Sequence, residues 1–382
     1  MKRNILFIIL LHFSANSLSQ AMPKIGILAP LMLDSVFQDD QFRYKKSFPK
    51  FIVPGLDFVQ GAEIALDSLS STGAKAKLFY YDSKGKTEIA EQIERGDFQN
   101  LDMIIAAVRE PEFSLLANYV RQKKTILISA IYPNDGGIKN NPNLVIINGT
   151  LKSHCERIFS QLFINHTNKN KILLVKQAGS QEDKIHTYLK SINEQDGKPL
   201  MKITKVDIDS NFTPLIGKLD SNLNNIIIAG SLDEEFAEKL IASLVKIDKK
   251  YKLQIFGMPN WENFDILKKG KNKTIPVHFT ASYYNDKTDS CSKYLQRKYE
   301  EKYKGLPSSA AYKGFEYVFY FTELFCRYSK GMMDHLNEGE GKMYSGFNFL
   351  PVHLSSPSLT DYYENKHLFM LKSIGGKTEI LK

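Results

Sequence analysis

The sequence predicts an α/β protein with two lobes, each built on a mainly parallel sheet flanked by helices. From Lys24 onwards, short apolar runs typical of central parallel strands alternate with amphipathic helical segments. The same alternation begins again at Thr150 without repeating the sequence itself. A chain of 382 residues is long enough for two lobes that each bury a core.

The first lobe opens with a strand at Lys24 to Leu31 and a helix that follows Pro54-Gly55. Between them, Met32 to Val53 form a long loop that we expect to overhang a cleft. The remaining first-lobe elements are strands at Lys75 to Asp82, Leu101 to Val108, Thr125 to Tyr132 and Leu144 to Gly149, with helices at Thr87 to Phe98 and Pro111 to Lys124.

The second lobe repeats this architecture. Its predicted strands are Lys171 to Gln177, Met201 to Ile208, Asn225 to Gly230 and Lys252 to Met258, and its helices are Thr150 to His166, Glu182 to Asn193 and Asp233 to Lys249. Because strands and helices alternate in both halves, loops at the carboxyl ends of the strands face a shared, ligand-accessible edge.

The C-terminal third of the chain is predicted to cross between the lobes more than once. Ile275 to Tyr284 form an extended segment, a helical hairpin turns at Gly305 to Ser309, and late strands near Phe349 and at His367 to Leu371 return to the second lobe. The predicted division is residues 22–148 plus 285–345 for the first lobe and 149–284 plus 346–382 for the second. Several crossovers of this kind make a hinge.

The N-terminus has the pattern of a cleaved signal peptide at residues 1–21. Lys2 and Arg3 supply the positive region, Ile5 to Leu11 the apolar core, and Ser19-Gln20-Ala21 a small-x-small cleavage site. The alternative is an uncleaved anchor or a buried helix. No later apolar run approaches the roughly 20 residues that cross a bilayer, so we expect an exported chain without a transmembrane segment.

Charge and cysteine content limit the partners. The net charge is +9, yet lysines and acids are interspersed, as in KYEEKYK at 298–304, which favours a solvated surface over nucleic-acid binding.

Three cysteines are too few for a disulfide framework. Cys291 and Cys326 flank the helical hairpin at similar distances, so the pattern leaves open either a disulfide or two buried thiols.

Four segments together resemble a known family. KIGILAPL, PGLDFVQGAEIALDSL, IFGMPNWENF and YLQRKYEEKYKGLPSSAAYKGFEY, in this order, are similar to type I periplasmic binding proteins, specifically a leucine-binding-like branch of Bacteroidetes-type bacteria related to LysM-associated domains. The resemblance implies a periplasmic two-lobed clamp that closes on a small polar ligand, commonly an amino acid, and delivers it to a membrane permease of an ABC importer.

On this resemblance the ligand contacts come from loops that follow the strands. The candidate ligand-binding residues are Arg109, Glu110, Ser129, Tyr132, Gln177, Ser231, Trp261 and Tyr283. A guanidinium such as that of Arg109 can hold a carboxylate bidentately, although Arg109 and Glu110 also fit a plain exposed ion pair. Trp261 suits either stacking on a ligand or packing over the helix that follows it.

Two departures from the family pattern argue against transferring amino-acid specificity. After the third strand, members of the family typically have Gly-Pro and a small hydroxyl residue, but this chain has Ala107-Val108-Arg109. After the fourth strand the usual Ser/Thr-rich turn is replaced by Ser129-Ala130-Ile131.

Catalytic, metal and cofactor motifs are not found in the sequence. It contains no HExxH and no GxSxG, and Gly375 to Thr378 lack the first glycine of a phosphate loop because Leu371 stands there. We therefore predict a non-enzymatic solute-binding protein without cofactor or metal. The rival hypothesis is an envelope interaction protein of the same fold, linked for example to peptidoglycan machinery.

Overall fold

The computed structural model describes residues 22–44, 48–71, 73–209, 211–339 and 343–381. The predicted signal peptide at residues 1–21 lies outside the described residues. Within the described ranges no helix is both long and apolar enough to cross a membrane.

The first half of the chain contains seven strands and four helices, interspersed. In chain order they are β1 Lys24–Ala29, α1 Leu33–Val36, β2 Phe37–Gln38, β3 Gln41–Phe42, α2 Val53–Ser71, β4 Lys77–Asp82, α3 Ile89–Glu94, β5 Met103–Ala106, α4 Glu112–Arg121, β6 Ile126–Ser129 and β7 Leu144–Ile146. The loop predicted between the first strand and its helix thus contains a helical turn and a small β2–β3 hairpin.

The second half continues with seven strands and five helices up to β14. These are α5 Leu151–Ile164, β8 Asn170–Lys176, α6 Ser180–Ile192, β9 Glu194–Gln195, β10 Lys198–Pro199, β11 Ile203–Asp207, α7 Thr213–Ile216, β12 Asn224–Ala229, α8 Glu234–Val245, β13 Lys252–Phe256, α9 Asp265–Lys268 and β14 Val277–Ala281. A short 3-10 helix, Pro259–Asn263, precedes α9.

The C-terminal part supplies two long helices and four strands: α10 Ser290–Tyr303, α11 Ser309–Tyr328, β15 Phe349–Val352, β16 Tyr362–Asn365, β17 Phe369–Ile374 and β18 Lys377–Ile380. The bend between α10 and α11 is where the sequence predicts it, because Lys304 takes a left-handed conformation and Ser308 caps α11 through the Ala310 N–H.

Two seven-stranded sheets organise the molecule, and both are mainly parallel, which confirms the predicted fold class. The first has the order β15-β16-β7-β6-β5-β1-β4 and the second β11-β8-β12-β13-β14-β17-β18. Antiparallel pairing is confined to β15/β16 in the first and to β17 with its two neighbours in the second. Each sheet has its own apolar core, with α2, α10 and α11 on one face of the first.

One prediction about the late strands is wrong. The sequence pattern assigns residues 346–382 to the second lobe. In the structure, β15 pairs with β16, and β16 pairs in parallel with β7 of the first sheet. Asp361 fixes this placement, because its carboxylate accepts hydrogen bonds from the backbone N–H groups of Asn140 at 2.8 Å and Ser355 at 2.9 Å. Only β17 and β18 join the second sheet.

Cys291 and Cys326 are separate free thiols. The Cys291 Sγ lies 3.1 Å from the Met343 sulfur, and the Cys326 Sγ lies 3.6 Å from the Lys75 carbonyl oxygen. The hairpin of α10 and α11 does not bring them together because both helices pack on α2.

Helices α2 and α11 cross with their backbones in close approach. A Cβ atom on Gly61 would lie 2.0 Å from the Ala311 carbonyl oxygen, and one on Gly314 would lie 2.1 Å from that of Phe58. Glycine at both positions is what lets the two helices pack this closely.

We therefore expect Gly61→Ala and Gly314→Ala each to lower the free energy of unfolding by about 2 kcal/mol, since an added methyl forces the helices apart. Urea unfolding followed by circular dichroism measures this. Gly331→Ala is the matched control, because no atom lies within 4 Å of its added Cβ. Equal stability of all three variants would contradict the packing argument.

Candidate functional site: a cleft between the two lobes

Within the described residues the chain passes between the two sheets three times, at residues 147–150, 282–289 and 366–368. The crossovers meet at Gly149. Its N–H donates to the Ser282 Oγ at 3.0 Å, and a Cβ there would lie 3.2 Å from a methyl carbon of Leu368. The predicted hinge of several crossovers therefore has a compact centre.

A buried carboxylate joins the first sheet to the second lobe beside this centre. Glu364, on β16, accepts from the Thr150 N–H at 2.6 Å and the Ser153 hydroxyl at 2.7 Å, at the start of α5. Its other oxygen lies 2.7 Å from the Lys366 ammonium. Burial alone would raise the pKa of Glu364, but Lys366 and these donors hold the pKa below its ordinary value.

A second buried carboxylate, Glu316 on α11, anchors the segment that leads to the next crossover. It accepts from the backbone N–H groups of Met343, Tyr344 and Ser345 and from the Ser345 hydroxyl at 2.7 to 2.9 Å. Burial raises the pKa of Glu316 to about 7 against the effect of these donors. The Tyr344 carbonyl in turn accepts from the Tyr284 N–H at 3.3 Å.

A cleft of about 320 Å³ opens between the lobes at the crossovers. Its walls come from residues that follow β5, β6 and β7 of the first sheet and β12 and β13 of the second, together with the end of β14. The polar side chains that line it include Arg109, Asn148, Asn260, Glu262, Thr280 and Ser282. Larger hollows of about 420 Å³ and about 610 Å³ are each formed by one lobe alone. The smaller cleft is the candidate site because both lobes build it.

Three charged groups act on one another at this cleft. The Lys313 ammonium, on α11, lies 4.9 Å from the ring centroid of Tyr283, and Glu262 and Arg109 both act on it electrostatically. Burial lowers the pKa of Lys313. Glu262 is an exposed side chain that lines the cleft. Partial burial raises the pKa of Glu262, and Lys313 partly offsets this rise.

A neutral histidine forms part of the cleft wall. His154 lies at the start of α5 and its Nδ1 is 2.7 Å from the Thr280 hydroxyl, which comes from β14. Burial lowers the pKa of His154 to about 4, so at neutral pH the ring is uncharged and holds the two elements together by a hydrogen bond.

The four predicted ligand-binding residues of the first lobe lie in different surroundings. Arg109 lines the cleft. Glu110 instead accepts from the Ser114 hydroxyl at 2.7 Å and interacts with Tyr132, whose ring packs 4.7 Å from that of Phe113. Ser129 is 1% exposed, with a hydroxyl that has no hydrogen-bonding partner among the described residues. Only Arg109 of these four is a cleft residue.

In the second lobe, Gln177, Ser231 and Trp261 form one supporting network. The Gln177 amide donates to the Ser231 hydroxyl at 3.1 Å, and the Trp261 indole N–H donates to the Ser231 carbonyl at 3.0 Å. Ser231 and Trp261 are both 0% exposed, and Trp261 packs 5.8 Å from the Phe264 ring, which agrees with the packing alternative for Trp261. They hold the turn on which Glu262 stands.

Of the predicted residues, Arg109 lines the cleft, and Tyr283 contacts Lys313 instead. Sequence reasoning misses Glu262 and His154 in the cleft wall, and Lys313 within electrostatic reach of it. Lys313 lies on an amphipathic helix, where a lysine is ordinarily a surface residue. The missed signal for Glu262 is its position directly after Trp261, in the turn that follows a buried strand. In the described part of the chain, no group of three or more His, Cys, Asp or Glu side chains is placed to hold a metal ion.

Comparison with known proteins agrees with this architecture. The family model for periplasmic binding proteins matches residues 52–335. No curated protein matches the sequence.

Solved structures of periplasmic ligand-binding proteins are similar over nearly the whole chain. A putative branched-chain amino acid ABC transporter protein of Rhodospirillum rubrum has a TM-score of 0.68 and 13% identity over 94% of this chain and 100% of its own. A branched-chain amino acid periplasmic ligand-binding protein of Burkholderia xenovorans has a TM-score of 0.60 and 12% identity over 94% and 95%. An ABC transporter substrate-binding protein of Desulfitobacterium hafniense in complex with Leu has a TM-score of 0.57 and 14% identity over 94% and 100%. At these identities the similarity shows the fold, and it confirms the type I arrangement of two lobes.

The Glu364 interaction predicts a pH dependence of stability. Because the folded-state pKa is held below the ordinary value of 4.5, its contribution is present above that pH and is lost as the pH falls through the folded pKa. We expect Glu364→Gln to cost about 2 kcal/mol near neutral pH, and the difference from wild type to shrink as the pH falls below 4.5 and through the folded-state pKa. Denaturant unfolding at a series of pH values measures both.

Glu379→Gln is the matched control for Glu364→Gln. Glu379 is exposed on β18 and lies 3.9 Å from the Lys372 ammonium, so its replacement should change stability by less than about 0.5 kcal/mol at every pH. A Glu364→Gln deficit that stays constant down to low pH would show that the charge of Glu364 is not what stabilises the hinge.

Proposed function

The chain belongs to the periplasmic binding protein family, and from this premise we propose that it captures a small polar ligand, such as an amino acid or a related compound, between its two lobes. Membership of the family makes it a binding protein rather than an enzyme. The observation that carries the proposal is the cleft of about 320 Å³, which is lined from both lobes by polar and charged side chains.

Closure of the lobes is the proposed mechanism. We take the first lobe as residues 22–148 and 285–365 and the second as 149–284 and 366–382, so that the crossovers are the hinge. Ligand groups that bind both walls stabilise the closed form relative to the open form, and the equilibrium shifts by the difference in affinity. The closed form is then the state that a membrane permease or a sensor recognises.

The similar structures supply a starting class of ligand. Their titles name branched-chain amino acid transport and bound Leu. An amino acid needs donors for its carboxylate and an acidic or carbonyl partner for its ammonium. In this chain Arg109 and Glu262 offer one of each on opposite walls of the cleft. Arg109 is itself part of the departure after the third strand, whereas Glu262 lies in the second lobe, away from both departures.

The signal pattern at residues 1–21 and the family together support export to the periplasm. The proposed partner in an import role is an ABC permease, and in a sensing role a membrane receptor.

One observation favours the second candidate function, an envelope interaction protein. Large apolar side chains are exposed together on the segment after β1, namely Leu33, Phe37, Tyr44, Phe48 and Phe51, each 38% to 52% exposed. Their rings contact one another, with Phe42 central to three of the pairs. A clustered exposed aromatic surface of this kind is typical of a contact with another macromolecule.

Ligand screening tests the proposed function. Purified mature protein is heated in the presence of amino acids, small peptides, sugars and muropeptides at millimolar concentration. A cognate ligand at about 100 times its Kd should stabilise the fold by about 2.7 kcal/mol, which is visible as a higher Tm. Trp261, the only tryptophan, adjoins the cleft residues Asn260 and Glu262 and gives a second, fluorescence readout.

Arg109→Gln should raise the Kd of the cognate ligand at least about tenfold, because the guanidinium is on the cleft wall. Arg121→Gln, at an exposed arginine of α4 in the same lobe, is the matched control and should leave binding unchanged. If no compound of the panel binds to the wild type, solute binding is rejected and the envelope interaction hypothesis remains.

A further inference from the structure

Two cations at or beside the cleft have no carboxylate in direct contact with them among the described residues. Elsewhere in the chain two half-buried lysines do have such a partner: Lys366 lies 2.7 Å from Glu364, and Lys176 lies 2.7 Å from Asp183. Neither Arg109 nor Lys313 has a carboxylate within 4 Å among the described residues. Lys313 rests instead on the face of the Tyr283 ring.

The acidic groups near these cations are few and mostly engaged. Glu110 is turned to Ser114 and Tyr132. Glu316 acts on Lys313 electrostatically, but it is fully buried and already accepts four hydrogen bonds from residues 343–345. Among the described residues, Glu262 is the one acidic side chain that lines the cleft. Arg109 and Glu262 therefore face the ligand space, and Lys313 lies within electrostatic reach of both.

This imbalance bears on closure. An aliphatic amino acid has no net charge at neutral pH, so closing over it would leave Arg109 and Lys313 with Glu262 as the only carboxylate of the cleft wall among the described residues. Removing an unneutralised charge from water is costly. A ligand with one extra carboxylate would balance the charges and provide an acceptor for each cation.

Resting on the proposed function, we infer that the cleft selects ligands of net negative charge, that is, small dicarboxylates such as an acidic amino acid, in preference to neutral aliphatic amino acids. One carboxylate is the acceptor for the Arg109 guanidinium, whose planar fork suits it, and the other is the acceptor for the Lys313 ammonium. Glu262, with the nearby amides of Asn260 and Asn263, is the acceptor for an ammonium group if the ligand has one.

The experiment compares four probes that differ by single groups: glutamate, its neutral amide glutamine, glutarate, which lacks the ammonium, and leucine. Isothermal titration on the mature protein at about 20 mM and about 200 mM salt gives the affinities. We expect glutamate or glutarate to bind at least about tenfold more tightly than glutamine and leucine, with the preference reduced at the higher salt.

Variants identify the groups responsible. Lys313→Gln should reduce the preference of the protein for glutamate over glutamine to less than about threefold. Arg109→Gln should have the same effect, and because the Arg109 side chain is exposed this variant leaves the fold intact. Lys123→Gln is the matched control, because the Lys123 ammonium also lies on a tyrosine ring, 5.9 Å from the centroid of Tyr119, outside the cleft. It should retain the full preference. Glu262→Gln should weaken the binding of glutamate more than the binding of glutarate.

The outcomes separate this inference from the proposed function. Equal or tighter binding of glutamine or leucine overturns the anion preference while solute binding stands. Failure of both glutamate and glutarate also overturns it, whatever else in the wider panel binds. If no compound of that panel binds, the proposed function fails as well. An anion preference that persists in both Lys313→Gln and Arg109→Gln would assign it to other residues and reject the site described above.

Discussion

The contact of Glu364 with the start of α5 is the constraint on which the relation between the lobes depends. A carboxylate from the first sheet accepts from the Thr150 N–H and the Ser153 hydroxyl at the start of the helix that opens the second lobe, where the helix dipole favours negative charge. Lys366, in the third crossover, neutralises the same carboxylate. Two of the three crossovers are thus tied at one buried point, so rotation of the lobes has to take place around it.

The sheets were predictable because their strands are local, strongly apolar runs, and alternation with helices dictates parallel pairing. The sheet that β15 and β16 join was not predictable from their own residues. Leu350, Pro351 and Tyr363 form ordinary edge-strand patterns, and their placement depends on Asp361, which binds the distant Asn140 backbone. Such a contact links positions far apart in sequence, and nothing in the local pattern indicates it.

The candidate site shows the same limit. Strand ends predict which loops reach the cleft, and on that rule both Arg109 and Ser231 were candidates. The rule does not say which side chain of a loop points outward, so Ser231 proved to be buried while Glu262, in the next loop, lines the cleft. Lys313 comes from a helix rather than a strand end, and the close crossing of α2 and α11 sets the position from which it acts electrostatically on Arg109 and Glu262.

The hinge and the charges of the cleft act on the same equilibrium. With the cleft empty, closure would bring Arg109 and Lys313 into a less hydrated space whose wall, among the described residues, holds Glu262 as its only carboxylate, and the cost of that desolvation favours the open form. A ligand that neutralises the excess removes the cost and adds hydrogen bonds to both walls. Ligands of net negative charge therefore shift the equilibrium towards the closed form most strongly, because their affinity differs most between the closed and the open form. Under the proposed function, selectivity and the closing signal to a partner have one electrostatic origin.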